Sequence, residues 1–318
     1  QTQSLEVWEK RLSLCRQSYD VYHQILSVHL TVYPISESVM LKDGLKMLKL
    51  ALRSKNFQLF DASLNFLFPE QFKWPIEVSF IHAKGLWARG MQREAFAEAK
   101  EILKRNQIED KNLKAKIFFY CGQWIISMTP PSKVNDVIKN AVKYLEQSIR
   151  QGTHYYHAWH RWAWASSVIY YNDKKNIDSA FNAVNGFLEC VRLKNDQSLS
   201  ELLQMISLFF TADLSAERFA SVAAHITNLS DSVLLKIIPQ LFTQLSNDGN
   251  RSSVFASNIA KKLLPEHFHV LLYPLIFIAR HDQAGNNYNY NYNQQLRKNE
   301  SFEHLNNSSN ECLVDDNN

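Results

Sequence analysis

Glycine and proline are scarce. Eight of each in 318 residues are far fewer turn formers than a sheet protein needs, since short strands call for a turn about every eight to twelve residues. Cysteine is scarcer and never clustered: Cys15, Cys121, Cys190 and Cys312 are far apart, with no C-x-x-C spacing, which argues against a zinc module and a disulfide framework. The longest strongly apolar stretch, Val270 to Ala279, is broken by Pro274 and falls well short of the ~20 residues of a membrane span. An excess of one charge is missing too. The 35 Lys and Arg are interspersed with 31 Asp and Glu for a net +4, so no basic stripe marks a nucleic-acid partner. The opening Gln1-Thr2-Gln3-Ser4 carries no charged-then-apolar leader. A reducing, cytoplasmic setting is expected, and the chain reads as a piece of something longer.

What is present is core material, with 46% hydrophobic and 12% aromatic residues. Apolar positions recur three and four apart, the helical period. Leu5, Trp8, Leu12, Cys15, Tyr19, Tyr22, Ile25 and Leu26 predict a first helix to residue 33, and Leu41, Leu45, Leu48 and Leu52 a second. The pattern continues over Phe57–Phe68, Ile76–Arg89, Gln92–Lys104, Lys111–Met128, 133–150 and 154–171. Asp178 is placed to cap a helix to Arg192, and Ser198 with Glu201 has capping-box spacing for a helix to Phe210. Two further pairs are predicted, 215–228 with 231–246 and 251–264 with 267–279.

Turn signals therefore bound units of two helices, each about 35 to 43 residues long, the period range of helical-repeat arrays. The fold class expected is all-α, an α-solenoid of antiparallel helix pairs of TPR or HEAT-like type, over residues 1–282. From residue 283 to 318 asparagine dominates, with Tyr288, Tyr290 and Tyr292 alternating with Asn. That composition cannot bury a core, and a disordered tail is expected.

The segment 154–171 holds Trp159, Trp162 and Trp164, three of the seven tryptophans, with Arg161 as its one fixed charge. A helix apolar on every side must be covered on every side. It is expected to be the structural centre, with Trp159 and Trp162 among the most buried side chains. His154, His157 and His160 are three apart on it, but no carboxylate or cysteine stands within the helix, so they read as packing residues and no metal site is expected. Phosphate-binding glycine loops, kinase signatures and a nucleophile elbow are all missing. No catalytic residue is assigned, and this chain is expected not to be an enzyme.

Four stretches, in order, carry a family likeness: Lys84-Gly-Leu-Trp-Ala-Arg89 followed by Glu94-Ala-Phe96; Gly122-Gln-Trp124; Tyr156-His-Ala-Trp-His-Arg-Trp-Ala163; and Ile237-Ile-Pro-Gln-Leu241 with Leu272-Tyr-Pro-Leu275. Together they resemble the FAT domain of the phosphatidylinositol-3-kinase-related protein kinases, nearest to the target-of-rapamycin (TOR) kinases, over about residues 5 to 282. The resemblance implies a helical-repeat clamp around the kinase domain of a large Ser/Thr kinase. It would dock TOR-complex regulatory subunits in nutrient and growth signalling, in the cytoplasm or, through partners, on endomembrane surfaces. A free-standing TPR-like adaptor that binds a peptide or protein in its groove is the other function class the residues allow; such a groove would be lined by Asn, Lys and Arg.

The same resemblance implies one ligand, an inositol polyphosphate such as inositol hexakisphosphate, held by cations from consecutive helix pairs. By position in the motifs these are Lys84, Arg89 and Lys116, with His157 standing where the TOR pattern has Lys and Tyr120 where it has another basic residue. No other cofactor is expected in this chain.

Overall fold

The computed structural model describes residues 7, 10, 11, 14, 19–32, 37–69, 74–105, 108–129, 134–152, 154–194, 198–245 and 250–282. Leu5, Trp8, Leu12 and Cys15 of the first predicted helix, the Pro130-Pro131-Ser132 break and the Asn-rich segment 283–318 lie outside the described residues. Every regular element among those described is helical: α1 Tyr19–Val32, α2 Glu37–Arg53, α3 Phe57–Leu67, α4 Ile76–Ala88, α5 Gln92–Lys104, α6 Lys111–Met128, α7 Val134–Gln151, α8 Tyr156–Asn172, α9 Ile177–Lys194, α10 Leu199–Thr211, α11 Ala216–Thr227, α12 Asp231–Leu234, α13 Ile238–Leu245 and α14 Arg251–Asp282. Consecutive helices pack as sequential antiparallel pairs. The helix positions expected from periodicity agree with these within a few residues.

The chain divides into two compact units, with the boundary between Ile117 and Phe118. In the first, α2 packs on α1, α3 and α4, and α4 packs on α5. Its core includes two clusters, one of Tyr22, Leu26, Met47, Leu50 and Leu67 and one of Leu48, Ala51, Phe60, Leu64, Val78 and Ile81. Gly90, at φ 87°, ends the α4 turn, a conformation a residue with a Cβ rarely adopts. Asn56 caps α3 by accepting the Leu59 N–H at 3.1 Å, the usual satisfaction of an orphan helix-start donor.

In the second unit α8 lies between α7 and α9, and α9 also packs on α10. One continuous core runs from Ala163 and Tyr170 through Phe187, Met205, Phe209 and Ile237 to Ile259 and Leu271. Phe209 is stacked on Phe219 at 4.4 Å, with Phe255 edge-on to it at 5.2 Å, which ties α10, α11 and α14 together.

Three expectations need correction. The aromatic helix α8 is not covered on all sides: Trp162 is 8% exposed, but Trp159 and Trp164 are half-buried and Tyr171 is 54% exposed. Two packed neighbours close two sides of a helix, and the amphipathic rings of Trp and Tyr tolerate the water that reaches the third. The α9 start is capped by Asn176, whose Oδ1 accepts the Ser179 N–H at 3.1 Å, and not by Asp178, which lies in the first turn. The Ser198 side chain makes no capping hydrogen bond, and Glu201 does not complete a capping box but is drawn into the core, where the Tyr156 hydroxyl donates to it. The two helices expected over 251–264 and 267–279 are both present, as the two arms of α14 on either side of a kink at His267, φ −123° and ψ 27°, after Pro265. Proline removes one helical donor and crowds the preceding turn, which accounts for the break between the two arms.

The predicted helix 231–246 shows the same effect on a smaller scale. It is α12, a 3-10 turn at Leu235–Ile237 and α13, and the tightened turn lies just before Pro239, which has no N–H to offer Leu235.

Candidate functional site

The cations expected to hold an anion have distinct environments. Lys84, on α4, is half-buried with its Nζ 5.5 Å from the Phe80 ring one turn back. Arg89, at the end of α4, turns to α3: its guanidinium pairs with Asp61, donates to the Phe57 carbonyl at 3.3 Å and stacks near the Phe57 and Phe60 rings at 5.2 and 5.7 Å. Five residues apart on a helix is roughly 140° of rotation, so Lys84 and Arg89 leave α4 on different sides. Lys116 is half-buried on α6. These three residues belong to the first unit and His157 to the second. His157 is half-buried among Phe119, Tyr155 and Tyr156, with ring centroids 6.4, 5.8 and 5.5 Å away.

The helix α8 contributes a second polar centre that the sequence reading missed. Glu201 of α10 is 7% exposed. It accepts the Tyr156 hydroxyl proton, His160 Nε2 lies 3.5 Å from it, and Lys194 Nζ sits 3.9 Å above the Tyr156 ring. A buried carboxylate is tolerated only with such partners. The electrostatics follow from the burial. Tyr156 is pushed far above its ordinary value, first by burial and then by its bond to Glu201. His160 is lowered, first by burial, with Arg161, His157 and Lys194 adding to that while Glu201 opposes it. Burial pushes the Cys190 thiol up as well, with Glu201 adding to it, so Cys190 is an inert core group and not a nucleophile. The available signal in the sequence was Glu201 itself, the lone charge in Leu199–Thr211.

Chemically this centre holds three helices in register. Its carboxylate is already engaged by a phenol and faced by an imidazole, and no nucleophile with a lowered pKa stands beside it. No helix among the described residues is long and apolar enough to cross a membrane. Both units consist of helix pairs joined through apolar cores, with half-buried aromatic and basic residues along α4, α6 and α8.

Comparison with known proteins supplies the family. The FAT domain family model matches residues 1–207. Serine/threonine-protein kinase TOR2 of Saccharomyces cerevisiae is 22% identical over 355 aligned positions, covering 88% of this chain and 14% of that protein. Serine/threonine-protein kinase tor1 of Schizosaccharomyces pombe is 21% identical over 312, covering 85% of this chain and 13% of that one. Among solved structures, the C-terminal part of a TPR repeat-containing protein from Cytophaga hutchinsonii covers 82% of this chain and 97% of its own, with a TM-score of 0.44 and 13% identity. The chain thus spans about one seventh of the length of the curated kinases it matches. With a family model spanning well over half of its residues, the chain belongs to the FAT domain family and is a helical repeat related to the TOR kinases.

Proposed function

We propose that this chain is the non-catalytic FAT scaffold of a TOR-like Ser/Thr protein kinase. In this reading it clamps the kinase domain of the parent protein and docks regulatory subunits in nutrient and growth signalling, in the cytoplasm. The observation that carries the reading is the combination of the family match over residues 1–207 with kinase relatives aligned over most of the chain. The physical support is that paired helices with apolar cores and semi-exposed aromatics on α8 suit an array that closes against another protein body. A peptide-binding adaptor would offer Asn, Lys and Arg along its inner helices, whereas Arg89 is spent on Asp61 and Lys194 on the Tyr156 ring.

The same reading carries an inositol polyphosphate held by cations of the first unit, Lys84 and Lys116, with Arg89 joining after exchange of its carboxylate partner for phosphate. A ligand of that charge needs several cations from different helices, and guanidinium and ammonium groups both serve.

The test is co-expression of the chain with the catalytic segment of its parent gene as two separate polypeptides. Co-elution on size exclusion, with slowed amide exchange on helices of this chain, is expected. Two polypeptides that elute apart, with unchanged exchange, refute the clamp and favour the adaptor.

A further inference from the structure

We propose that Asp231, Glu266 and His267 form a binding site for a divalent transition-metal ion, with zinc the best fit. One donor atom from each lies within 4.8 Å of the other two. His267 Nε2 and Asp231 Oδ2 are 3.7 Å apart. That is too long for a hydrogen bond but close to the roughly 3.4 Å that separates two donors sharing a tetrahedral zinc ion with bonds of about 2.0–2.1 Å. A small side-chain adjustment closes the difference.

The backbone brings the three together. Neighbouring residues on a regular helix point about 100° apart, so Glu266 and His267 would not both face one partner. The kink at His267 in α14 changes that, and both side chains reach Asp231 at the first turn of α12. One imidazole with two carboxylates is a borderline-soft, mixed donor set. It suits zinc, manganese or iron better than magnesium or calcium, which prefer oxygen alone. Three protein ligands leave a fourth position to water or an outside donor.

Lys262 is the competitor. Its Nζ lies 3.3 Å from Asp231 Oδ1 and donates to the Thr227 and Leu229 carbonyls at 2.9 and 3.4 Å. It therefore holds one carboxylate oxygen of Asp231 and leaves the other, Oδ2, toward His267. Its positive charge opposes the ion, so the site is weaker than a closed structural zinc centre, and removing that charge strengthens it. The plain alternative is an ion-pair clamp of Asp231 with Lys262 and His267 that takes no metal. An occupied site would fasten the α11–α12 corner to the kink and fix the angle between the two arms of α14.

The experiment uses the whole chain, stripped with EDTA, dialysed and titrated with Co²⁺ and then Zn²⁺. Expected is a cobalt visible band that saturates at one equivalent and is displaced by zinc. Glu266→Gln should weaken binding at least tenfold, His267→Ala should abolish the band, and Lys262→Met should tighten binding several-fold. Circular dichroism reports folding of each variant. Should His267→Ala fail to fold, Glu266→Gln decides, because Glu266 is exposed and its loss leaves the core intact. A titration with no saturating band overturns the proposal. So does a band that Glu266→Gln leaves unchanged, which would place the metal on other histidines among the eleven.

Discussion

Gly186 of α9 approaches Ala163 of α8 so closely that a Cβ added at position 186 would lie 2.8 Å from the Ala163 Cβ and 3.2 Å from its Cα. The obstruction includes backbone, so it cannot be relieved by turning a side chain. The closeness is what lets the aromatic helix share one core with α9, in which Ala180, Ala183 and Phe187 have no exposed surface. Gly186→Ala should therefore destabilise the second unit by roughly 1–3 kcal/mol through overpacking, although alanine is the better helix former. Thermal denaturation followed by circular dichroism checks this; a melting temperature equal to or above that of the parent protein contradicts it.

The two tryptophans of α8 should differ when truncated. Trp162 is buried and its ring meets Trp159 edge-on at 5.8 Å, whereas Trp159 is only half-buried. Trp162→Ala should cost about 3–5 kcal/mol, the usual range for deleting a buried aromatic, and that is a large share of the ~5–15 kcal/mol a domain has. Trp159→Ala should cost clearly less. Urea denaturation midpoints of the two variants give the order, and a larger loss at Trp159 reverses the account of which ring is central.

The polar centre under α8 gives stability a pH dependence of definite sign. His160 has a folded-state pKa below its unfolded value, so the unfolded chain binds the proton more readily. Its contribution is present above the unfolded value, about 6.5, and is lost as pH falls through the depressed folded value. Melting temperatures at pH 7.5 and pH 5 should show this loss, and His160→Gln should reduce the difference between them. Tyr156→Phe should cost about 1–3 kcal/mol at either pH, because it leaves the Glu201 carboxylate buried without its phenol donor. Identical pH profiles for the parent chain and His160→Gln would remove His160 from the explanation.

Inositol hexakisphosphate should bind the chain, with binding lost in Lys116→Ala. Asp61→Asn should strengthen it, since it frees the Arg89 guanidinium from its present partner. Calorimetric titration measures both. No heat on titration disposes of the ligand while leaving the family assignment untouched.

Much of the fold was legible because helical periodicity and the scarcity of Gly and Pro point the same way. The segments 92–104 and 111–128 match α5 and α6 residue for residue. What the periodicity does not specify is which of several polar residues near a helix start does the capping. Asp178 and Asn176 both suit the role, and the turn geometry at Asp173–Asn176 chose Asn176. Nor does it reveal a carboxylate recruited inward: Glu201 fits a capping box in sequence, but the Tyr156 hydroxyl, 45 residues away, draws it into the core. The same limit applies to Arg89. Its motif position marks it as a cation for a ligand, while its partner Asp61 is 28 residues earlier on another helix. The kink that places Glu266 and His267 beside Asp231 comes from Pro265, visible in the sequence as a break but not as a convergence of side chains.

The claim at the centre is that this segment is the FAT scaffold of a TOR-like kinase, and the size and content of the polypeptide that carries it test that most directly. Antibodies against the chain should precipitate from source cells a protein about seven times its length, as its 14% share of the yeast TOR2 kinase implies. Peptide mapping of that band by mass spectrometry should recover the Mg²⁺-binding and phosphate-positioning segments of a kinase catalytic domain. A band near the 37.0 kDa of this chain alone, or a larger one with no kinase peptides, would contradict the account.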